Sequence, residues 1–294
     1  MLATVPTPLI RLGSLFPKPA VHAKCEFLAP SGCFKIRGAA HLLEHLTWES
    51  DMRHLVVPSM GNTALGAATA ARAFDFGMTG VVPQTISKAK DDKLRALGIE
   101  LIKIAGGGSD LLRHAAQLAK ERSAYFVHPH LDPHWTDGYR SIAAEILDAL
   151  PACRTLVFPV GGGGLLLGLL AYLRQHPAPV KLVGCEPYNY PKYARFKHAR
   201  SATIADGLLL ETPHPQVQEA IAEKGIPIVM VPEADIRTAL KDLFEQQGLV
   251  VEPSSAITLA LIRSQAGQME EPVCAILTGE NISREDHRRL VEDA

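Results

Sequence analysis

The stretch Val160-Gly161-Gly162-Gly163-Gly164-Leu165 decides the reading of this chain. It joins an apolar run at 155–158 to a leucine-rich segment at 164–176, so it reads as strand, glycine loop and helix. Without side chains, backbone N–H groups converge on an anion, and a helix N-terminus adds partial positive charge. A tight turn needs one or two glycines; four in a row cost more backbone entropy than a turn requires. The loop therefore predicts a phosphate site. The Gly-Lys-Ser/Thr ending of a nucleotide P-loop is missing. So is a GxGxxG in the first βα unit with an acidic residue about 20 positions on. The phosphate is expected to belong to something other than a nucleotide.

Working outward, the same alternation recurs. Strand-like runs stand at 21–24, 55–57, 80–82, 100–104, 125–127, 181–185, 228–231 and 273–277. Helical periodicity follows at 64–74, 91–97, 109–122, 138–150, 234–247 and 255–266. This pattern predicts an α/β protein with mostly parallel, twisted sheets flanked by helices. So many strands point to two α/β domains, and no stretch resembles a flexible linker. Residues 59–72 repeat the plan of the glycine loop, with a strand end, a small-residue loop and a helix. Ligands bind at such strand C-terminal ends.

Composition removes several function classes. The 294 residues carry 30 Lys and Arg against 31 Asp and Glu, so no basic excess invites nucleic acid or an anionic membrane. The longest apolar run, near 165–173, falls well short of the roughly 18 residues a membrane span needs. Five cysteines, an odd number without a two-residue metal or redox spacing, fit a reducing compartment. With no secretory pattern at the start, a cytoplasmic protein is expected.

Lys35 lies in PSGCFKIRGAAHLL (30–43), at the start of a helical segment and beside an aromatic residue. Both features disfavour an ammonium and lower a lysine's pKa, as an amine nucleophile requires. A lysine in a first helical turn is also an ordinary surface residue, and the local composition alone does not choose. The histidines of HPHLDPH (His128, His130, His134) suggest zinc, but Pro129 and Pro133 break helical spacing and no cysteine is adjacent. A loop returning from the smaller domain is the expectation, with no metal.

Six motifs then occur in order: SGCFKIRGA (31–39), SMGNTA (59–64), VGGGGL (160–165), TIADG (203–207), EPSSA (252–256) and LTGEN (277–281). Together they resemble the pyridoxal-phosphate enzymes of fold type II, the tryptophan synthase β superfamily. The resemblance runs from Thr7 to Asn281, and TIADG points to the serine/threonine dehydratase and serine racemase branch. It implies that Lys35 carries pyridoxal 5'-phosphate through its ε-nitrogen and is the catalytic base. Gly161, Gly162, Gly163, Gly164 and Leu165 match the phosphate cradle. Asn62 matches the partner of the ring hydroxyl, Thr278 the hydroxyl facing the ring nitrogen, and Glu252 the acidic turn along the cofactor. Ser59, Met60, Gly61, Asn62 and Thr63 match the loop at the substrate carboxylate.

The resemblance further implies a large cofactor-binding domain (1–52 and 132–294), a small movable domain (53–131), a homodimer, and an amino-acid substrate. It implies β-elimination of a hydroxy amino acid such as serine or threonine. A neutral hydroxyl at Thr278 favours prompt loss of a β-leaving group over transamination. β-Replacement, as in cysteine or threonine synthases, stays open, as does a cofactor-binding protein without activity.

Departures from the pattern sharpen the expectation. Met60 stands where racemases of the branch have a proton-transferring serine, which argues against racemisation. Lys192 stands where relatives place an acidic cation ligand near Glu186, so an ammonium is expected there instead of a divalent metal. Arg140 either reaches the substrate side chain or runs along its helix; the sequence leaves both open. Glu280 replaces a usual glycine and is expected in solvent. No regulatory domain is expected after Asn281.

Overall fold

A computed structural model describes residues 6–292 except Met60 and Lys197. Among these residues the chain forms two sheets. The larger runs in the order β1 (Leu9–Arg11), β2 (Val21–Cys25), β10 (Val273–Leu277), β7 (Thr155–Pro159), β8 (Lys181–Pro187), β9 (Ile228–Val231). Only the β1–β2 pair is antiparallel. The smaller sheet, all parallel, has the order β5 (Glu100–Ile104), β4 (Gly77–Pro83), β3 (His54–Pro58), β6 (Tyr125–Phe126).

The central strands β7 and β10 are buried on every residue because both their faces are covered. Successive side chains alternate across the large sheet. Leu156, Phe158, Cys274 and Ile276 face α1 (Lys35–Glu49), α6 (Arg140–Ala149) and α7 (Gly164–Gln175). Val157, Val273, Ala275 and Leu277 face α9 (Glu233–Gln247) and α10 (Pro253–Gln265). In the small sheet, Leu55 and Val57 join the first of these cores together with α2 (Asn62–Phe74). Val56 and Val81 pack on α4 (Gly108–Glu121). One apolar core therefore runs continuously between the two sheets.

A buried ionic cluster fixes α1 beneath this core. Arg37 donates to Glu26 (Nε–Oε2 2.6 Å) and Glu145 (Nη1–Oε1 2.6 Å), while Lys24 donates to the Thr7 carbonyl at 2.5 Å. Removing one member would strand a buried charge, typically at a cost of about 3–5 kcal/mol.

The alternation read from sequence holds, with three additions. Strand β1, α8 (Pro215–Lys224) and α11 (Arg284–Glu292) were not anticipated. The helix expected at 138–150 is α6, and the short α5 (Pro133–Asp137) precedes it, with Asp132 capping α5 through the Trp135 N–H at 3.0 Å. All five cysteines are unpaired and buried. Among the described residues no helix is long and apolar enough to cross a membrane.

Candidate active site

The C-terminal ends of β7, β10 and β3 open onto one cavity of about 370 Å³. Its lining includes Lys35, Ser59, Gly61, Asn62, Thr63, Gly161, Gly162, Gly163, Gly164, Leu165, Glu252 and Thr278. Residues as far apart as 35 and 278 meet because they close adjacent strands or open the helices behind them.

Lys35 is the first residue of α1. Helix α2 lies directly against it: a Cβ on Gly66 would fall 2.8 Å from the Lys35 backbone. The ammonium sits 4.8 Å from the Phe34 ring centre and 5.7 Å from that of Tyr139. No hydrogen bond or ion pair to its Nζ is formed among the described residues. Burial lowers its pKa to about 8, against the smaller opposing pull of Cys33 and Glu252. A partnerless amine of lowered basicity is what a nucleophile or general base needs.

The glycine loop fits a group that only bare backbone can approach. Gly163 adopts φ 87° and precedes α7, whose first N–H groups have no partner within the helix. A Cβ on Gly162 would come 2.1 Å from the His130 ring. A side chain at Gly162 would collide with that ring, and one at Gly163 would come 2.5 Å from Val217.

Thr278 ends β10, and its carbonyl accepts the Phe34 N–H at 3.0 Å, tying that strand to the start of α1. Its Oγ1 lies 3.2 Å from the Ser255 hydroxyl. Asn62 is held at both ends of its amide: Nδ2 donates to Glu252 Oε1 (2.8 Å) and Oδ1 accepts from Asn281 (3.0 Å). Glu252 is buried, its Oε2 unpartnered among the described residues. Burial raises its pKa to about 7, opposed by Lys90. Ser59 Oγ accepts the N–H groups of Gly61 (2.9 Å) and Ala64 (3.0 Å), which shapes the loop before α2.

Other expectations meet a different arrangement. Arg140 does not reach the cavity: it faces Asp137 (3.3 Å) and Gln175 along the surface of α6. The first turn of α6 is turned so that Tyr139, not Arg140, is buried beside Lys35. Met60 lies outside the described residues. Glu280 is half-buried over Gly32 rather than in solvent, and burial raises its pKa against the opposing pull of Lys93. Glu186 and Lys192 are fully buried together. His134 stacks on His45, whereas His130 pairs with His214 at 3.2 Å.

Several cavity residues were not singled out from sequence. Lys90 of α3 (Lys88–Ala96) packs on Gly61 and pairs with Asp206 of the TIADG segment at 2.6 Å. His214, Ser255 and Asn281 complete the walls and their supports, together with His130, which the sequence offered only as part of a histidine cluster. Only the tertiary pairing reveals their roles, although Asp206, Ser255 and Asn281 lie inside quoted motifs.

With the geometry in hand, residues 1–279 match the family of pyridoxal-phosphate dependent enzymes. The chain belongs to that family. It is 32% identical over 269 residues to the L-threonine ammonia-lyase of Thermotoga maritima, covering 89% of this chain and 67% of the relative. It is 30% identical over 292 residues to the catabolic L-threonine dehydratase of Staphylococcus aureus, covering 94% and 84%. The structure of processed threonine deaminase isoform 2 from Solanum lycopersicum superposes with TM-score 0.89 at 25% identity, over 99% of this chain and 83% of that one. The fold type II assignment and the cofactor read from the motifs both hold.

The residues present fit pyridoxal 5'-phosphate on structural grounds as well. A partnerless amine suits its aldehyde, a glycine cradle at a helix N-terminus its phosphate, and amide and hydroxyl groups its ring substituents.

Proposed function

We propose that this protein is a pyridoxal-phosphate lyase that removes water and ammonia from L-serine or L-threonine to give a 2-keto acid. The observation that carries the reading is Lys35: a lowered-pKa amine without a counter-ion among the described residues, in the same cavity as the 161–164 cradle and the Thr278 hydroxyl. The names of its relatives supply the substrate class.

Lys35 would hold the cofactor through Nζ, Gly161–Gly164 and Leu165 its phosphate, Asn62 the ring hydroxyl and Thr278 the ring nitrogen. Glu252 orients Asn62 through the 2.8 Å bond. When bound, the cofactor supplies the electron sink for charge at the substrate's Cα. The N–H groups at the start of α2, with Ser59, Gly61 and Thr63, offer an anion site for the substrate carboxylate. The Lys35 amine would take the Cα proton at Nζ. Phe34 and Tyr139 wall this amine from water.

Residues 53–131, which contain the small sheet, would form a movable domain closing this cavity. Lys192 would serve as a built-in cation for Glu186, so that no divalent metal is needed. A cytoplasmic homodimer suits the reading. Keto-acid release from L-serine and L-threonine, with Lys35→Ala as control, tests it; product formed only when a thiol is added would instead indicate β-replacement. Activity lost to a chelator and restored by magnesium would defeat the built-in cation.

A further inference from the structure

The segment that follows β10 carries Asn281, a buried residue whose side chain bridges the Ser31-Gly32 turn and Asn62. Which end of an amide is the oxygen is decided by partners that can play only one role. Asn281 has two of them. The Ser31 carbonyl can only accept, so the amide end 3.2 Å from it is the nitrogen. The Gly32 carbonyl, 3.5 Å away, adds a second acceptor for that nitrogen. The Lys93 ammonium can only donate, so the end 3.0 Å from it is the oxygen. Both requirements give the same orientation. The other N–H of Asn281 then serves Asn62, and the Asn62 atom 3.0 Å away must be Oδ1. Asn62 Nδ2 is thereby turned to Glu252 Oε1 at 2.8 Å. That bond uses one of its two N–H groups. The second has no acceptor among the described residues, and Asn62 lines the cavity.

We infer that Asn281 is a positioning residue: it fixes the Asn62 amide so that an N–H, not the carbonyl oxygen, faces the cofactor's ring hydroxyl. This rests on the functional reading above, which places that hydroxyl at Asn62. An N–H facing the ring oxygen stabilises it ionised; an amide turned over would accept a hydrogen bond from it and keep it protonated. Glu252 alone does not decide between the two. Its carboxyl, raised to about 7, accepts from an N–H when ionised and can donate to an oxygen when protonated. Asn281 decides, because its own orientation is set from outside the site. The turn beside it is shaped for the contact: Gly32 adopts φ 69°, and a Cβ there would lie 2.9 Å from Asn281 Oδ1.

The test is the absorption spectrum of the holoenzyme at fixed pH. The cofactor on Lys35 absorbs in the visible when its ring oxygen is ionised and in the near-ultraviolet when that oxygen is protonated. In Asn281→Ala the ratio of the visible to the near-ultraviolet band falls about tenfold, the scale of one hydrogen bond. Asn281→Asp, nearly isosteric, cannot donate to Asn62 and lowers the ratio at least as far; it carries the comparison should Asn281→Ala not fold. In an Asn62→Ala background neither substitution lowers the ratio further. A fall that persists in that background would show that residue 281 acts through charge or by loosening the site, and overturns the inference. So does an unchanged or raised ratio in the Asn281 variants, with the cofactor still fixed to Lys35 by borohydride; the functional reading survives both results. Failure to find the cofactor on Lys35 overturns the functional reading and this inference with it.

Discussion

Lys35 and Lys192 are both drawn out of water by this fold, and burial lowers both their pKa values to about 8. Their surroundings differ in everything else. Lys192 is completely buried, its ammonium 3.5 Å from Glu186 and 3.5 Å from the Tyr190 carbonyl. Glu186 also accepts the backbone N–H groups of Lys192 (2.9 Å), Tyr193 (3.1 Å) and Ala194 (2.8 Å), so the pair closes on itself. Lys35 faces a cavity and two aromatic rings, with no acceptor among the described residues. Desolvation alone lowers basicity; an open face and an unclaimed lone pair are what make an amine chemically useful. On the proposed reading one lysine is structural and the other reactive.

The largest effect expected from this contrast is on catalysis. Lys35→Ala should reduce keto-acid release by at least about a thousandfold, the scale of a lost general base, while leaving the thermal midpoint nearly unchanged. Lys192→Ala should behave in the opposite way. It leaves Glu186 buried without its ammonium, a loss of about 3–5 kcal/mol visible in denaturant unfolding, with kcat little altered in whatever folds. Equal and parallel effects of the two substitutions would erase the distinction.

A finer separation comes from pH. Capture of pyridoxal phosphate by cofactor-free protein needs neutral Lys35, so its second-order rate should rise tenfold per unit up to pH of about 8 and then level off. A rise continuing toward 10.5, the ordinary lysine value, would show that burial does not act as described. Glu252 supplies the opposite sign. Its carboxyl is raised to about 7 in the folded, cofactor-free protein, so between 4.5 and 7 that state holds a proton the unfolded chain has released. Stability should therefore fall as pH rises through this window. Glu252→Gln should remove that part of the slope in thermal unfolding at pH 5 and pH 8; identical slopes would count against it. The smallest effect is expected at Arg140, whose partners are Asp137 and Gln175: Arg140→Ala should change kcat/KM less than about twofold, as for a surface residue.

How far the sequence carried this picture depended on range. The glycine loop was legible because a strand end and a helix start impose its spacing locally; Lys35, Asn62 and Thr278 were legible only through the ordered motifs that carry the family resemblance. Strand β1 escaped because three residues on an antiparallel edge carry no periodicity. Helices α8 and α11 escaped because few of their residues are buried, chiefly Val217 in one and His287 and Val291 in the other. Arg140 was ambiguous since a residue opening a helix can face either way until its neighbours are placed. Ser255 and Lys90 could not be assigned at all without the fold, since their partners lie 23 and 116 residues away.

The site as a whole stands on the covalent role of Lys35. Reduction of the holoenzyme with borohydride, followed by proteolysis and mass mapping, asks where the cofactor is attached. The expected result is a single modified peptide bearing the pyridoxyl mass on Lys35. Label on Lys90 or Lys192, or tight binding of the cofactor with no reducible bond, would contradict it.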